Sequence, residues 1–241
     1  MKVIGLTGGI GSGKSFVADV AVKYFPILHI STDEIARQQM QKGGASFDSV
    51  VSEFSKYSEN LLTPEGEINR QVLGKLVLDD PALLKRLDEI THPPVIEEVE
   101  HIIKEARLLT AEKENNTEEV EYLKKEKSIE EGGNIPEEMG QIIAKEAPPK
   151  GYYAILIETA LLYEAGIDNI CDEVWYVYAP MATRRKRLKS SRGYSDEKID
   201  GFLARQNPEE EFLRRATRTV PNGDDVMEDD MVKIIKGYLY E

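Results

Sequence analysis

The sequence predicts an α/β protein built on a doubly wound parallel sheet, and three observations carry the prediction. Short apolar runs at residues 3–7, 27–30, 153–157 and 173–178 have the length and composition of buried parallel strands. Segments with apolar residues at helical spacing alternate with them from the N-terminus onward. The first run also passes straight through glycines into a helical pattern, the strand–turn–helix order of such a sheet.

The elements follow in order. After the strand at 3–7, Phe16, Val17, Val20, Ala21 and Tyr24 recur at helical spacing until Pro26 ends the pattern. A second strand spans 27–30. Ser31-Thr32-Asp33-Glu34 then has the S-x-x-E form of a capping box, so a helix begins there. Helical patterns cover 45–56, 69–78 and 81–90, and Pro93-Pro94 suits the first turn of another. From Thr110 to Glu138 the chain carries ten Glu against four Lys and neither Asp nor Arg. With Gly132-Gly133 and Pro148-Pro149, this acidic stretch reads as an insertion, partly helical and partly mobile. Two central strands at 153–157 and 173–178, a basic helix at 182–189 and further polar helices complete the chain.

Composition limits what such a fold can be. At 241 residues, with 41% hydrophobic and 31% charged side chains, the chain reads as a soluble globular protein with a sizeable core. No run reaches the length of a membrane span, and the first residues are not expected to be a leader, because glycines interrupt their apolar run at once. The single Cys171 forms no internal disulfide and fits a reducing cytoplasm. A net charge of -13 argues against nucleic acid as a partner, which would call for a basic face.

Gly8-Gly9-Ile10-Gly11-Ser12-Gly13-Lys14-Ser15 matches G-x-x-x-x-G-K-S between strand and helix. Glycines there let successive N–H groups turn inward on a phosphate, and the following helix adds its positive end. Residues Gly9 to Ser15 are thus expected to bind nucleotide, with Lys14 reaching the β and γ phosphates of ATP. The Ser15 hydroxyl would meet Mg²⁺. A guanine-specific switch is disfavoured, because N-K-x-D, T-K-x-D and D-x-x-G are absent. A small-molecule kinase and an ATPase or regulatory subunit, its acidic insertion docking a partner, remain open. Residues 155–158 (ILIE) loosely fit the acidic strand of an ATPase. Asp33, just past the second strand, stands on the carboxyl side of the sheet, where a carboxylate could take an acceptor's proton. Phosphoryl transfer also calls for a lid arginine, with Arg184, Arg187 and Arg192 as candidates. His29, His92 and His101 lack metal-cluster spacing.

The phosphate loop and the Asp33-Glu34-Ile35-Ala36-Arg37 segment together resemble the dephospho-CoA kinases. So do Gly66-Glu67-Ile68-Asn69-Arg70, His92-Pro93, Ala160-Leu161-Leu162-Tyr163-Glu164, Arg205-Gln206 and Asn222-Gly223. The resemblance implies transfer of phosphate from ATP, with Mg²⁺, to the ribose 3′-hydroxyl of dephospho-CoA, the last step of coenzyme A synthesis. Other small-molecule kinases share the loop, so another nucleoside or nucleotide kinase stays the alternative. The resemblance further implies a nucleotide core at 1–32, 150–180 and 214–241, a helical acceptor domain at 33–109 and a lid region at 181–213. The acidic insertion at 110–149 falls outside the pattern. Asp33 corresponds to the proposed base. Arg70, His92 and Glu158 would contact the acceptor, Arg187 and Arg192 the transferred phosphoryl, and Asn222 and Gly223 the nucleotide. Three departures stand out: Ser31 replaces the first carboxylate of D-x-D, Thr159-Ala160 follows Glu158 without the usual proline, and Arg187 and Arg192 are one residue further apart than usual.

Overall fold

The structure, a computed structural model, describes residues 1–129 and 147–240. Two compact units divide the chain, one made of residues 1–30 and 102–241 and the other of residues 31–101.

The larger unit is organised by a five-stranded sheet in the order β2-β3-β1-β4-β5. Its strands are β1 (Lys2–Thr7), β2 (Ile27–Ser31), β3 (Ala154–Glu158), β4 (Glu173–Tyr178) and β5 (Arg218–Pro221). β1 pairs in parallel with both β3 and β4, and β4 in parallel with β5. Burial is nearly continuous along β1 and β3, as expected of strands covered on both faces. On one face, Ile4, Leu6, Leu156, Trp175 and Val177 pack with Val17 and Ala21 of α1 (Lys14–Tyr24) and with Met231, Ile235 and Leu239 of the C-terminal helix (Glu228–Tyr240). The register pairs Leu6 with Glu158, so β1 and β3 end side by side at the carboxyl edge. There the chain leaves β1 between two neighbouring strands, the position in which open α/β sheets bind ligands.

The smaller unit holds α2 (Thr32–Gln39), α3 (Phe47–Phe54), α4 (Arg70–Asp79) and the first part of α5 (Pro81–Lys113). Phe47, Val50, Phe54, Leu61, Ile68, Leu73 and Leu83 form its own apolar core. A tight turn closes at Gly66, φ 83, whose N–H donates to Thr63 O, and Asn69 then caps α4 by accepting the N–H groups of Gln71 and Val72.

Two elements differ from the sequence prediction. The helix expected to open at Pro93-Pro94 is the continuation of α5, which runs unbroken through both prolines to Lys113. Each proline removes one intrahelical bond. The buried positions Val95, Val99, Ile102, Ile103 and Ala106 nevertheless carry one apolar stripe onward at helical spacing, and that packing outweighs the loss. The strand β5 falls where only polar helices were expected. Within the acidic stretch, residues 110–113 close α5 and α6 (Thr117–Ile129) is helical; residues 130–146, with Gly132-Gly133, lie outside the described residues. Beyond β4 come α7 (Met181–Arg192), α8 (Asp196–Leu203) and α9 (Glu209–Arg215), which makes the helix at Glu228–Tyr240 α10.

Candidate active site

β1 stops at Thr7 and the chain turns through Gly8–Gly13 into α1. Gly11 and Gly13 take φ values of 77 and 89, in the left-handed region that side chains with a Cβ avoid. Gly13 is also the N-cap of α1, and no side chain closes that helix start. The first-turn N–H groups have no intrahelical carbonyl to bond, so the loop ends on backbone donors and the positive end of a helix.

The loop is held from behind by its carbonyls. Asn222 Nδ2 donates to Ser12 O at 2.7 Å and Arg187 Nη1 to the same oxygen at 3.2 Å. Arg187 Nη2 donates to Gly223 O at 3.1 Å. Arg184, almost fully buried, donates from Nε to Ile10 O at 2.8 Å and from Nη2 to Gln206 Oε1 at 3.2 Å; that amide oxygen also accepts the Ile10 N–H at 3.1 Å. Within the loop itself, Ser12 N–H donates to Gly9 O at 3.0 Å. Two buried hydroxyl oxygens of this region, Thr7 Oγ1 and Ser12 Oγ, have no hydrogen-bond partner. Buried hydroxyls rarely stay unpaired, and a phosphate oxygen is a group that would satisfy such donors. Lys14 Nζ donates to Gly8 O at 2.9 Å, which keeps its charge at the mouth of the loop.

Beside the loop, at the end of β3, Glu158 collects two donors. Ser15 Oγ donates to Oε1 at 2.7 Å, and His29 Nε2 lies 3.0 Å from Oε2. Burial works against the Glu158 charge. The hydrogen bonds from His29 and Ser15, with the nearby Lys14 charge, nevertheless hold the carboxyl below its usual range. Ser15 and Glu158 thus form a pair of hard oxygens, one neutral and one ionised at neutral pH.

The remaining expected residues are distributed as follows. Arg187 and Asn222 meet at Ser12, on the loop, and Gly223 joins them through its carbonyl, which accepts from Arg187. Arg192 is exposed at the end of α7, its guanidinium 6.0 Å from the Tyr194 ring. Asp33, Arg70 and His92 belong to the smaller unit. Asp33 is exposed in the first turn of α2, behind the Ser31 cap whose hydroxyl accepts from Glu34 N. Arg70 donates to Arg37 O at 2.8 Å, closing the last turn of α2, and His92 Nε2 stands 3.6 Å from Asp88. Burial raises the Asp88 carboxyl, with the His92 charge opposing it. Sequence reasoning missed the His29 contact with Glu158 and the Arg184–Gln206 clamp on Ile10. Gln206 carried a signal as part of the Arg205-Gln206 resemblance, and Arg184 as a candidate lid arginine, though the structure buries it against Ile10 O.

The family model described as dephospho-CoA kinase matches residues 2–113 and 134–228. A dephospho-CoA kinase of Moorella thermoacetica is 30% identical over 226 residues, covering 94% of this chain and 86% of the relative. A solved structure from Thermus thermophilus superposes with a TM-score of 0.62 at 25% identity, over 99% of this chain and 96% of the other. The dephospho-CoA kinase of Campylobacter jejuni shares the fold, with a TM-score of 0.55 at 22% identity over 98% and 96% of the two chains. The chain belongs to the dephospho-CoA kinase family, transferases that phosphorylate dephospho-CoA to coenzyme A.

Proposed function

We propose that the loop from Gly9 to Ser15 binds the phosphates of ATP and that the γ-phosphoryl passes to the ribose 3′-hydroxyl of dephospho-CoA, in the cytoplasm. The observation that carries this reading is the phosphate loop, braced from behind through Ile10 O and Ser12 O and flanked by the Ser15–Glu158 pair. In it, Lys14 bridges the β and γ phosphates. Arg187 donates to Ser12 and Gly223 and stands 3.9 Å from Asp224, which holds its guanidinium beside the loop as the first candidate for the transferred group. Arg192, free of the loop, is the second candidate for the transferred group. Asn222 supports the nucleotide through the loop it holds, and Gly223 through Arg187.

The donor set suits Mg²⁺. Among the described residues no cluster of three or more His, Cys, Asp or Glu gathers. Mg²⁺ in kinase sites takes one or two protein oxygens and completes its shell with phosphate and water. Ser15 and Glu158 supply that number, and this assignment moves Glu158 from the acceptor side to the cation. Bound there, Mg²⁺ would offset charge on the phosphate oxygens.

Asp33 is the base of this reading: an exposed carboxylate directly after β2. Arg70 and His92 are assigned to the acceptor on the family resemblance. A coupled ADP-release assay over dephospho-CoA, adenosine and AMP tests the substrate, with turnover expected on dephospho-CoA alone. Asp33→Asn is expected to lower the rate about a hundredfold or more while ATP still binds, the scale on which a general base contributes. Near-normal turnover of Asp33→Asn together with collapse of Glu158→Gln would move the base to β3.

A further inference from the structure

Glu158 is anchored at both oxygens, and the partners are unequal in origin. Ser15 belongs to the phosphate-loop motif, whereas His29 is the third residue of β2 and has no place in that motif. An ionised carboxylate has no hydrogen to give, so His29 must donate, and its ring carries hydrogen on Nε2. The side chains of His29 and Glu158 keep 28% and 14% of their exposure, so the contact is not a freely solvated surface pair. The consequence is geometric. The last torsion of a glutamate is broad, so a carboxylate at a strand end is poorly oriented by itself. With Oε2 fixed by His29, Oε1 is directed at Ser15. The Ser15 hydrogen is then committed to Glu158, and the hydroxyl's lone pairs are left to face a cation.

We propose that His29 is a positioning residue of the phosphoryl-transfer site: it orients the Glu158 carboxylate so that Ser15 and Glu158 present their oxygens to the divalent cation arriving with the nucleotide. The proposal rests on reading Ser15 and Glu158 as the cation's protein ligands. Partners that orient a metal ligand alter metal affinity by about ten- to a hundredfold when removed.

The test uses the full chain and two titrations, calorimetric ATP binding in EDTA and in Mg²⁺, with Mg²⁺ half-saturation of turnover read alongside. His29→Leu removes the donor at similar size. His29→Asn keeps polarity but stops short of Glu158, and His29→Gln restores an N–H at comparable reach. For His29→Leu and His29→Asn the expected result is ATP binding in EDTA within about twofold of wild type, and a Mg²⁺ half-saturation raised about tenfold or more. His29→Gln should return to within about threefold of wild type. Equal weakening of ATP binding with and without Mg²⁺, or an unchanged Mg²⁺ requirement, would overturn the proposal. Ser15→Ala separates the two levels of the argument. If Ser15→Ala is sensitive to Mg²⁺ and His29→Leu is not, the positioning role fails alone; if neither is sensitive, the cation reading fails with it.

Discussion

Lys14 and Arg184 are both cations bonded to carbonyls of the same loop, and their surroundings give them opposite duties. Lys14 is half-buried and donates to Gly8 O from the open side, so its ammonium can turn to a phosphate without disturbing the core. Lys14→Ala is therefore expected to reduce turnover by about a hundredfold or more at nearly unchanged melting temperature, the usual cost of one charge-stabilising group. Steady-state assays beside a thermal melt check this; a soluble variant above about a tenth of the wild-type rate would exclude Lys14 from the mechanism. Arg184 is the reverse case. Its side chain keeps 6% of its exposure, Glu209 lies 3.9 Å away, and burial presses on its charge, which lowers its pKa. Arg184→Met leaves Ile10 O without its side-chain donor, at a cost of about 1–3 kcal/mol for a buried orphan. We expect a melting temperature lower by roughly 2–12 °C, on the scale of a chain this long, and weaker ATP binding from a looser loop. The sequence displayed half of this. The phosphate loop is legible because its eight residues are consecutive and each has a local reason. The clamp was not legible, because Arg184 and Ile10 are 174 residues apart and Asn222 and Ser12 are 210 apart. No local periodicity reports such a partner, and a buried arginine looks the same in a sequence as one on a solvated helix face.

Elements were legible in proportion to how much apolar surface each had to bury. β3 and β4 announce themselves as nearly continuous apolar runs, whereas β5 contributes one buried residue, Val220, in a four-residue edge strand that ends on Pro221. What secures β5 and its neighbours at their start is a charge cluster without a sequence signature. Glu173 at the head of β4 accepts from Lys2 Nζ of β1 at 2.7 Å and from Trp175 Nε1 at 3.0 Å, with Arg218 of β5 at 3.6 Å. Burial opposes the Glu173 charge, but these hydrogen bonds and cations hold its carboxyl below the ordinary 4.5. A carboxyl depressed by folding stabilises the fold fully above its unfolded value, and that contribution is lost as pH falls through the folded value. The stability difference between wild type and Glu173→Gln should thus be constant from pH 8 to about 5 and should shrink below the ordinary 4.5. Denaturant melts across that range measure it. A difference that grows on acidification would mean that the cluster does not favour the ionised form.

At the scale of the whole molecule, the question is what the acidic stretch adds to a kinase whose family pattern omits it. The family model skips residues 114–133, a segment with seven Glu against three Lys, so its removal relieves local repulsion. The flanking chain is tied together without it. Lys113 Nζ donates to Ala147 O at 3.1 Å and to Pro148 O at 2.7 Å, and Tyr152 N donates to the buried Thr110 Oγ1 at 3.1 Å. These contacts also fix the limit of a safe deletion. Thr110 and Ala111 are buried and Lys113 is a tether, so a cut must begin after Lys113 rather than at the start of the acidic run. The corner that leads into α6 holds Asn115 at φ 56, the one positive φ among the described non-glycine residues, and a deletion removes that strained turn as well. Against this, α6 buries Leu123, and losing its contacts costs about 1.5–3 kcal/mol, or roughly 3–12 °C in a chain of this size. Joining Lys113 to Asn134 should therefore give a folded protein, less heat-stable by that amount. Its ADP release with dephospho-CoA should stay within about threefold of wild type, because every residue assigned to the chemistry lies outside the cut. Circular dichroism, a thermal melt and the coupled assay on one preparation decide it. Loss of the fold would mean that α6 is part of the core. An intact fold with turnover lost would draw 114–133 into the catalytic cycle and make the acidic segment a functional part of the kinase.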